Sequence, residues 1–119
     1  MAWSFSPGMP VYIQIADNLT HLIISGKYPP GSQIPTVRQL AVEAAVNPNT
    51  VQHAFAELEK RGIIETRGSL GRFVTEDKSL VEQSRHEHAK HIVKTFMKNI
   101  RQIGCTEEEI IDLIKEELL

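Results

Sequence analysis

The sequence has a single cysteine, Cys105, and no apolar run that approaches the roughly 20 residues needed to span a bilayer. One thiol excludes a disulfide within the chain and fits the reducing environment of the cytoplasm. The first residues lack the basic start and apolar run of a secretory signal. These absences predict a cytoplasmic protein with no membrane partner.

Signals of catalytic chemistry are also missing. The sequence contains no phosphate-binding loop, no nucleophile with a base nearby, and no paired carboxylates at a useful spacing. His88 and His91 are three residues apart on one predicted helix, a spacing at which they could share a metal ion. His86 does not share a face with His88, so a solvated or interface role is the simpler interpretation. We therefore expect no enzyme, no cofactor and no metal site.

The chain lacks the excess of positive charge that many DNA-binding proteins carry, because its formal net charge is −2. Residues 1–78 hold seven basic and seven acidic side chains, and residues 79–119 hold six and eight. Any binding to nucleic acid must therefore depend on local placement of charge. Two subunits acting together would double the number of phosphate contacts.

Strong helix signals are present in the first part of the chain. Apolar residues at steps of three and four predict a helix over 10–25, and prolines interrupt the connector at 27–35. Thr36, with Gln39 three residues later, predicts a capping box that opens a second helix. Asn47 as a cap, followed by a proline, opens a third helix. Two short helices joined by a tight turn are typical of a helix-turn-helix.

A basic, glycine-rich segment at 67–72 follows the helix pair and has the pattern of a hairpin tip. Strands are predicted at 63–66 and 72–75, around a turn at 68–71. A helix-turn-helix followed by a basic hairpin is a winged helix. We expect a mainly α (α+β) fold, with a winged helix-turn-helix DNA-binding domain at 1–76 and a two-helix dimerisation element at 77–119.

The start of the third helix carries side chains that both donate and accept hydrogen bonds, as readout of base edges requires. Asn49, Gln52 and His53 fit that requirement, and Arg38 on the second helix could clamp a phosphate. The alternatives are that Gln52 and His53 belong to a solvated helix face and that Arg38 pairs with Glu43. Asn47 and Thr50 could likewise serve as capping residues alone.

Residues 26–41, GKYPPGSQIPTVRQLA, resemble the signature of the GntR family of bacterial transcription regulators. The similarity continues through GII at 62–64 and GSLGRFV at 68–74, and it covers about residues 10–75. PVYIQI at 10–15, VNPNTV at 46–51 and the short tail resemble the small YtrA-type subfamily, since other subfamilies carry a much larger effector domain.

The resemblance implies DNA contacts on the second helix, the start of the third helix and the wing. Thr36 replaces the serine usual in the family but keeps the hydroxyl. Pro48 stands where other subfamilies place arginine, which shifts the expected base readout towards the residues that follow it. The expected DNA-binding residues are Thr36, Arg38, Asn47, Asn49, Thr50, Gln52, His53, Arg67, Gly68, Ser69, Gly71 and Arg72.

The tail is predicted to form two helices, opened by capping boxes at Ser79 with Glu82 and at Thr106 with Glu109, and separated at Gly104. About forty residues in two helices cannot enclose a core alone. A symmetric dimer would bury their apolar stripes, and packing onto the winged domain of the same chain is the alternative. The expected dimerisation residues are Val81, His88, Ile92, Phe96, Ile100, Ile110 and Ile114.

These features predict a transcription regulator, most simply a repressor, that binds a palindromic double-stranded DNA operator as a homodimer. The alternative is a winged-helix module that binds proteins and has no specific DNA target. A small-molecule effector is possible but not evident from the sequence, because a two-helix tail leaves little room for a pocket.

Overall fold

Five helices and a small hairpin make up residues 3–119, the part of the chain that the computed structural model describes. Contacts divide the chain into two compact units, a first that ends at Arg85 and a second formed by His86–Leu119. A single 3-10 turn, Gly68–Leu70, forms the tip of the hairpin. The elements are α1 (Val11–Ile24), α2 (Val37–Ala44), α3 (Pro48–Arg61), β1 (Ile64–Thr66), β2 (Arg72–Val74), α4 (Lys78–Gln102) and α5 (Glu107–Leu118).

Local capping signals define α2 and α3 as the sequence predicted. The Thr36 hydroxyl accepts from the backbone N–H of Gln39 at 3.1 Å, and the Gln39 side chain accepts from the Thr36 N–H at 2.9 Å. The Asn47 side chain accepts from the backbone N–H of Asn49 at 2.8 Å, and Gly62 ends α3 at φ +80°. Ala45 adopts the left-handed conformation, with φ 56° and ψ 47°, in the turn that joins the two helices.

The core of the first unit lies among α1, α2, α3 and the hairpin. One apolar stripe of α1 packs against α3, and Phe55 is the largest fully buried side chain. The other large side chains that are fully buried in this core are Ile15, Leu19, Ile23, Leu40, Val51, Leu58, Ile63 and Val74. The polar face of α3 that the sequence predicted to contact DNA is therefore held in place by the apolar side of the same helix.

The sheet of the wing is shorter than the sequence predicted, and it pairs with a segment that was not predicted to take part. β1 and β2 are antiparallel, with Thr66 opposite Arg72, and both are shorter than expected. The predicted irregular connector at 27–35 also pairs with the wing through a bridge between Gln33 and Phe73. The Ile34 N–H donates to the Arg72 carbonyl at 3.0 Å, so this segment extends the sheet. The prolines of the connector correctly predicted that it is not helical. They gave no sign of its sheet pairing, because the partner Phe73 lies about forty residues away.

The predicted capping box of Ser79 with Glu82 is wrong, because Asp77 occupies the capping role. One Asp77 carboxylate oxygen accepts from the Ser79 hydroxyl at 2.6 Å, the Ser79 N–H at 3.1 Å and the Leu80 N–H at 3.3 Å. The Glu82 carboxylate pairs instead with Arg85. An ionised carboxylate competes well for this position because its oxygen accepts several donors at once.

The second unit contains the remainder of α4 and all of α5. The predicted box at Thr106 is confirmed, since its hydroxyl accepts from the Glu109 N–H at 3.2 Å while the Glu109 side chain accepts from the Thr106 N–H at 3.0 Å. Gly104 separates the helices at φ +86°. Across residues 3–119, no helix combines the length and the apolar character that a bilayer crossing requires.

Candidate nucleic-acid interface

Polar side chains are exposed at the N-terminal end of α3, the helix that the sequence predicted to read DNA. Asn49, Gln52 and His53 are exposed and Thr50 is half-buried. The Asn47 side-chain oxygen is committed to the helix cap, so its predicted capping role is confirmed. The start of the helix also offers backbone N–H groups, which favour an anionic ligand such as a phosphate.

Three elements of the fold meet beside this helix end in one open groove of about 290 Å³. α2 contributes Arg38 together with its capping residue Thr36, α3 contributes Gln52, and the wing contributes Gly71 and Arg72. Residues from the second helix, the third helix and the hairpin, predicted separately from sequence, are thus brought together. The groove therefore combines donors and acceptors from all three elements.

A second concavity beside the start of α3 involves α1, which the sequence analysis did not include in the site. Val11 and Tyr12 line it together with Asn49, Thr50 and His53. The rings of Tyr12 and His53 meet edge to face, with centroids 5.5 Å apart and planes at 79°. This contact positions the His53 ring at the helix surface. In the sequence, Tyr12 belongs to the apolar stripe of α1. That pattern did not indicate that its ring also contacts His53.

The wing tip is held by Gln33, a residue that the sequence analysis missed. The Gln33 side-chain N–H donates to the Leu70 carbonyl at 2.8 Å, and the Arg67 N–H donates to the Gly71 carbonyl at 2.9 Å. Gly68 and Ser69 are exposed at the tip, as expected for residues that approach a partner. No local sequence pattern connects Gln33 with a turn that lies 37 residues away.

The two arginines of the wing make ion pairs within the protein. Arg67 donates to Glu65 at 2.7 Å and lies 3.5 Å from Glu76, and its guanidinium stacks 4.4 Å from the centre of the Phe73 ring. The hydrogen bond to the Glu65 carboxylate raises the pKa of Arg67 above its ordinary value. Carboxylates therefore compensate part of the positive charge that the sequence predicted for the hairpin.

Arg72 also contacts three side chains within the protein. Its Nε donates to Glu59 at 3.3 Å, one Nη donates to the side-chain oxygen of Gln52 at 3.1 Å, and its guanidinium lies 4.7 Å above the Phe55 ring. The Thr66 hydroxyl donates to the same Glu59 oxygen at 2.7 Å. Glu59 was not among the residues that the sequence predicted for the site.

The predicted dimerisation residues differ in how much of their surface is exposed. Ile92, Phe96 and Ile114 are 55%, 40% and 41% exposed. Val81 and Ile110 are 8% and 2% exposed and have little area left for a partner, since Val81 already belongs to the core of the first unit. His88 and Ile100 are half-buried.

An apolar groove of about 310 Å³ lies in the second unit. Its lining residues are Phe96, Ile100, Leu113, Ile114, Glu117 and Leu118. Within the part of the chain that the structure describes, no three His, Cys, Asp or Glu side chains are grouped to hold a metal ion.

A winged helix with an exposed polar helix end and a hairpin beside it is the architecture of a DNA-binding domain. Residues 11–74 match the family described as "Bacterial regulatory proteins, gntR family". The chain belongs to this GntR family and is a transcription regulator with a DNA-binding domain, not an enzyme.

The family similarity extends beyond the winged domain. The chain is 34% identical over 108 residues to the HTH-type transcriptional repressor YtrA of Bacillus subtilis, covering 90% of this chain and 83% of that one. It is also similar to the structure of a GntR family transcriptional regulator from Listeria monocytogenes, with 37% identity, a TM-score of 0.85 and coverage of 94% and 98%. The predicted resemblance to the YtrA-type subfamily is thereby confirmed.

The winged domain is similar by itself to that of AraR, whose DNA-binding domain has been solved in complex with operator ORX1. This similarity has a TM-score of 0.59 and 25% identity, and it covers 63% of this chain and 95% of the AraR chain. The shared part is therefore the winged helix.

Proposed function

We propose that the protein is a cytoplasmic repressor that binds a palindromic operator in double-stranded DNA as a homodimer. The observation that carries the proposal is the groove in which Thr36, Arg38, Gln52 and Gly71 meet at the exposed end of α3. A helix end of this kind fits the major groove, and the hairpin beside it reaches the neighbouring backbone or minor groove.

The side chains of the groove have distinct roles in this proposal. Arg38 is exposed on α2, where a guanidinium can hold a phosphate, and the N–H groups at the start of α3 can hold another. Asn49, Gln52 and His53 read base edges. Gly68 and Ser69 at the exposed tip allow the wing backbone to approach DNA, and Arg67 adds positive charge there.

The relatives support the repressor and operator assignments. YtrA is named a transcriptional repressor, and AraR has been solved with its operator. The domains that we propose are the DNA-binding winged helix at 1–76 and the dimerisation segment at 77–119. The first turns of α4, through Arg85, belong to the first compact unit.

Exposed apolar surface in the second unit supports the dimer. Among the described residues, most large apolar side chains that remain exposed lie between His86 and Leu119. They include Ile92, Val93, Phe96, Ile103, Ile111, Leu113, Ile114 and Leu118. A helical segment with this surface gains stability when a second copy covers it, because burial of apolar area is worth roughly 25 cal/mol per Å².

The experiment that tests the proposal is selection of bound duplexes from a random pool by the purified protein, followed by titration of the selected site. We expect a palindrome whose half-site centres lie about one helical turn apart, roughly 10 base pairs. Inserting about five base pairs at the centre rotates one half-site to the opposite face of the duplex and should weaken binding strongly.

Two variants separate affinity from sequence choice. Arg38→Ala should weaken binding to every duplex and flatten the salt dependence by about one unit, because phosphate contacts do not read sequence. Gln52→Ala should cost roughly 1–3 kcal/mol on the selected site alone. Lys98→Ala, in the tail, is the control. A protein that selects no sequence and binds protein partners instead would overturn the proposal in favour of an interaction module.

A further inference from the structure

The side chain of Arg72 lies along one face of α3 and connects three residues of that helix. Gln52, Phe55 and Glu59 follow one another at steps of three and four, so their side chains share a face. Arg72 donates to Gln52 and Glu59 and covers the ring of Phe55 between them. Phe55 is 1% exposed, so the guanidinium rests on a rigid part of the core.

Glu59 holds the Nε end of the Arg72 guanidinium. Its Oε1 accepts from the Arg72 Nε and from the Thr66 hydroxyl, at 3.3 Å and 2.7 Å. The planar guanidinium carries its donors in a fixed fork, so fixing the Nε end also fixes the direction of the Nη groups. The Nη that contacts Gln52 is thus aimed by Glu59 and Phe55. The side chain of Arg72 is only 27% exposed.

The contact determines how the amide of Gln52 is oriented. Arginine has donors and no acceptor, so the atom of Gln52 that faces it must be the carbonyl oxygen. The amide –NH₂ is then directed away from Arg72. Gln52 lines the groove of the proposed interface, where an amide with this orientation presents hydrogen-bond donors.

We propose that Arg72 is a positioning residue for sequence recognition, which acts by holding the Gln52 amide with its donors towards the base edges. This inference rests on the proposed function of the groove. It assigns Arg72 to sequence choice through Gln52, whereas the sequence alone predicted only that Arg72 contacts DNA. A base edge that offers two acceptors, as guanine does with O6 and N7, suits the oriented amide.

The test compares Arg72→Met, Arg72→Lys, Gln52→Ala and the double variant Arg72→Met/Gln52→Ala on the selected operator and on random duplex. Met keeps much of the apolar stem, and Lys keeps the charge but has no fork that could contact Gln52 and Glu59 together. Arg61→Met is the matched control, since Arg61 also pairs with two carboxylates, Asp17 and Glu57, at the far end of α3. Thermal unfolding shows that each variant is folded.

Both Arg72 variants should lose roughly ten- to hundredfold in affinity for the operator, with unchanged affinity for random duplex and an unchanged salt dependence. The double variant should bind the operator no more weakly than Gln52→Ala, because the two residues act as one unit. Repeated selection with Arg72→Met should show relaxed preference at one base pair per half-site. Arg61→Met should retain the preference of the wild-type protein.

A phosphate contact would produce the opposite pattern and overturn the inference. Arg72→Met would then lose affinity equally on both duplexes and flatten the salt dependence by about one unit, and Arg72→Lys would restore most of the binding. A Gln52→Ala variant that keeps the wild-type preference at every base pair of the operator would also overturn the inference while leaving the proposed function intact. A wild-type protein without any operator preference would overturn the proposed function itself.

Discussion

The side-chain nitrogen of Gln33 occupies the space that a Cβ on residue 71 would need. An ideal Cβ built on Gly71 would lie 2.8 Å from Gln33 Nε2, and that nitrogen donates to the Leu70 carbonyl at 2.8 Å. Gly71 has φ 108° and ψ −156°, a region that is essentially restricted to glycine. Gln33 and Gly71 together therefore determine the shape of the wing tip.

Gly71→Ala should weaken the fold and the wing together. The backbone conformation should cost about 1–3 kcal/mol, and the Gln33 side chain must move and give up its bond to Leu70. Urea unfolding measures the first effect and titration of the selected operator measures the second.

Two controls separate these contributions. Gly68→Ala tests strain without a steric conflict, because φ there is +56° and no heavy atom lies within 4 Å of the added Cβ. Gln33→Ala removes the hydrogen bond to the Leu70 carbonyl without straining the backbone. Equal stability of Gly71→Ala and the wild-type protein would contradict the prediction.

Ala45→Gly should stabilise the winged domain by up to about 1 kcal/mol. Ala45 has a positive φ, which costs a residue with a Cβ roughly 1–2 kcal/mol, and the greater freedom of glycine in the unfolded chain offsets part of the gain. Urea unfolding provides the measurement. Ala56→Gly, at an exposed position within α3, should instead destabilise by about 1 kcal/mol. Destabilisation by both substitutions would show that relief of strain at Ala45 is negligible.

The cap of α4 should make stability depend on pH. The hydrogen bond from the Ser79 side chain, and then that from the Leu80 N–H, lower the pKa of Asp77 below its ordinary value of 3.8. A carboxyl whose pKa is depressed by folding contributes stability above its unfolded pKa and loses it as the pH falls through its folded pKa. The Tm advantage of the wild-type protein over Asp77→Ala should therefore be complete at pH 7 and shrink below about pH 4.

Asp77→Asn is the control for this effect, since it keeps a capping acceptor that does not titrate. Its Tm relative to Asp77→Ala should change little over the same range. A wild-type advantage that stays constant from pH 7 to pH 3 would indicate that Asp77 ionisation does not stabilise the cap.

Phe96→Asp should disrupt the proposed dimer. Phe96 lines the apolar groove of the second unit, and a carboxylate enclosed by an apolar partner surface costs several kcal/mol. Sedimentation velocity should detect a shift to monomer at concentrations where the wild-type protein is dimeric. Lys98→Asp also adds a carboxylate to an exposed part of α4 and should remain dimeric. A dimer of unchanged stability in Phe96→Asp would place the interface elsewhere.

Short-range signals account for the parts of the fold that the sequence predicted well. The caps at Thr36, Asn47 and Thr106 each involve backbone groups two or three residues away, so the residue types alone carry the information. The exception is at α4, where Asp77 and Ser79, two residues apart, are both good capping types. Asp77 forms the cap there because one of its carboxylate oxygens accepts hydrogen bonds from three donors.

Sequence by itself determined the order of helices and strands, the family and the stretch of α3 that is exposed, because these follow from periodicity, caps and a motif within one segment. Tertiary structure decided what surrounds the wing. Glu59 and Gln52 reach Arg72 across 13 and 20 residues, and Gln33 reaches the tip across 37. Such pairs form only after the packed core has fixed the distance between elements, and no local pattern of residue types records that distance.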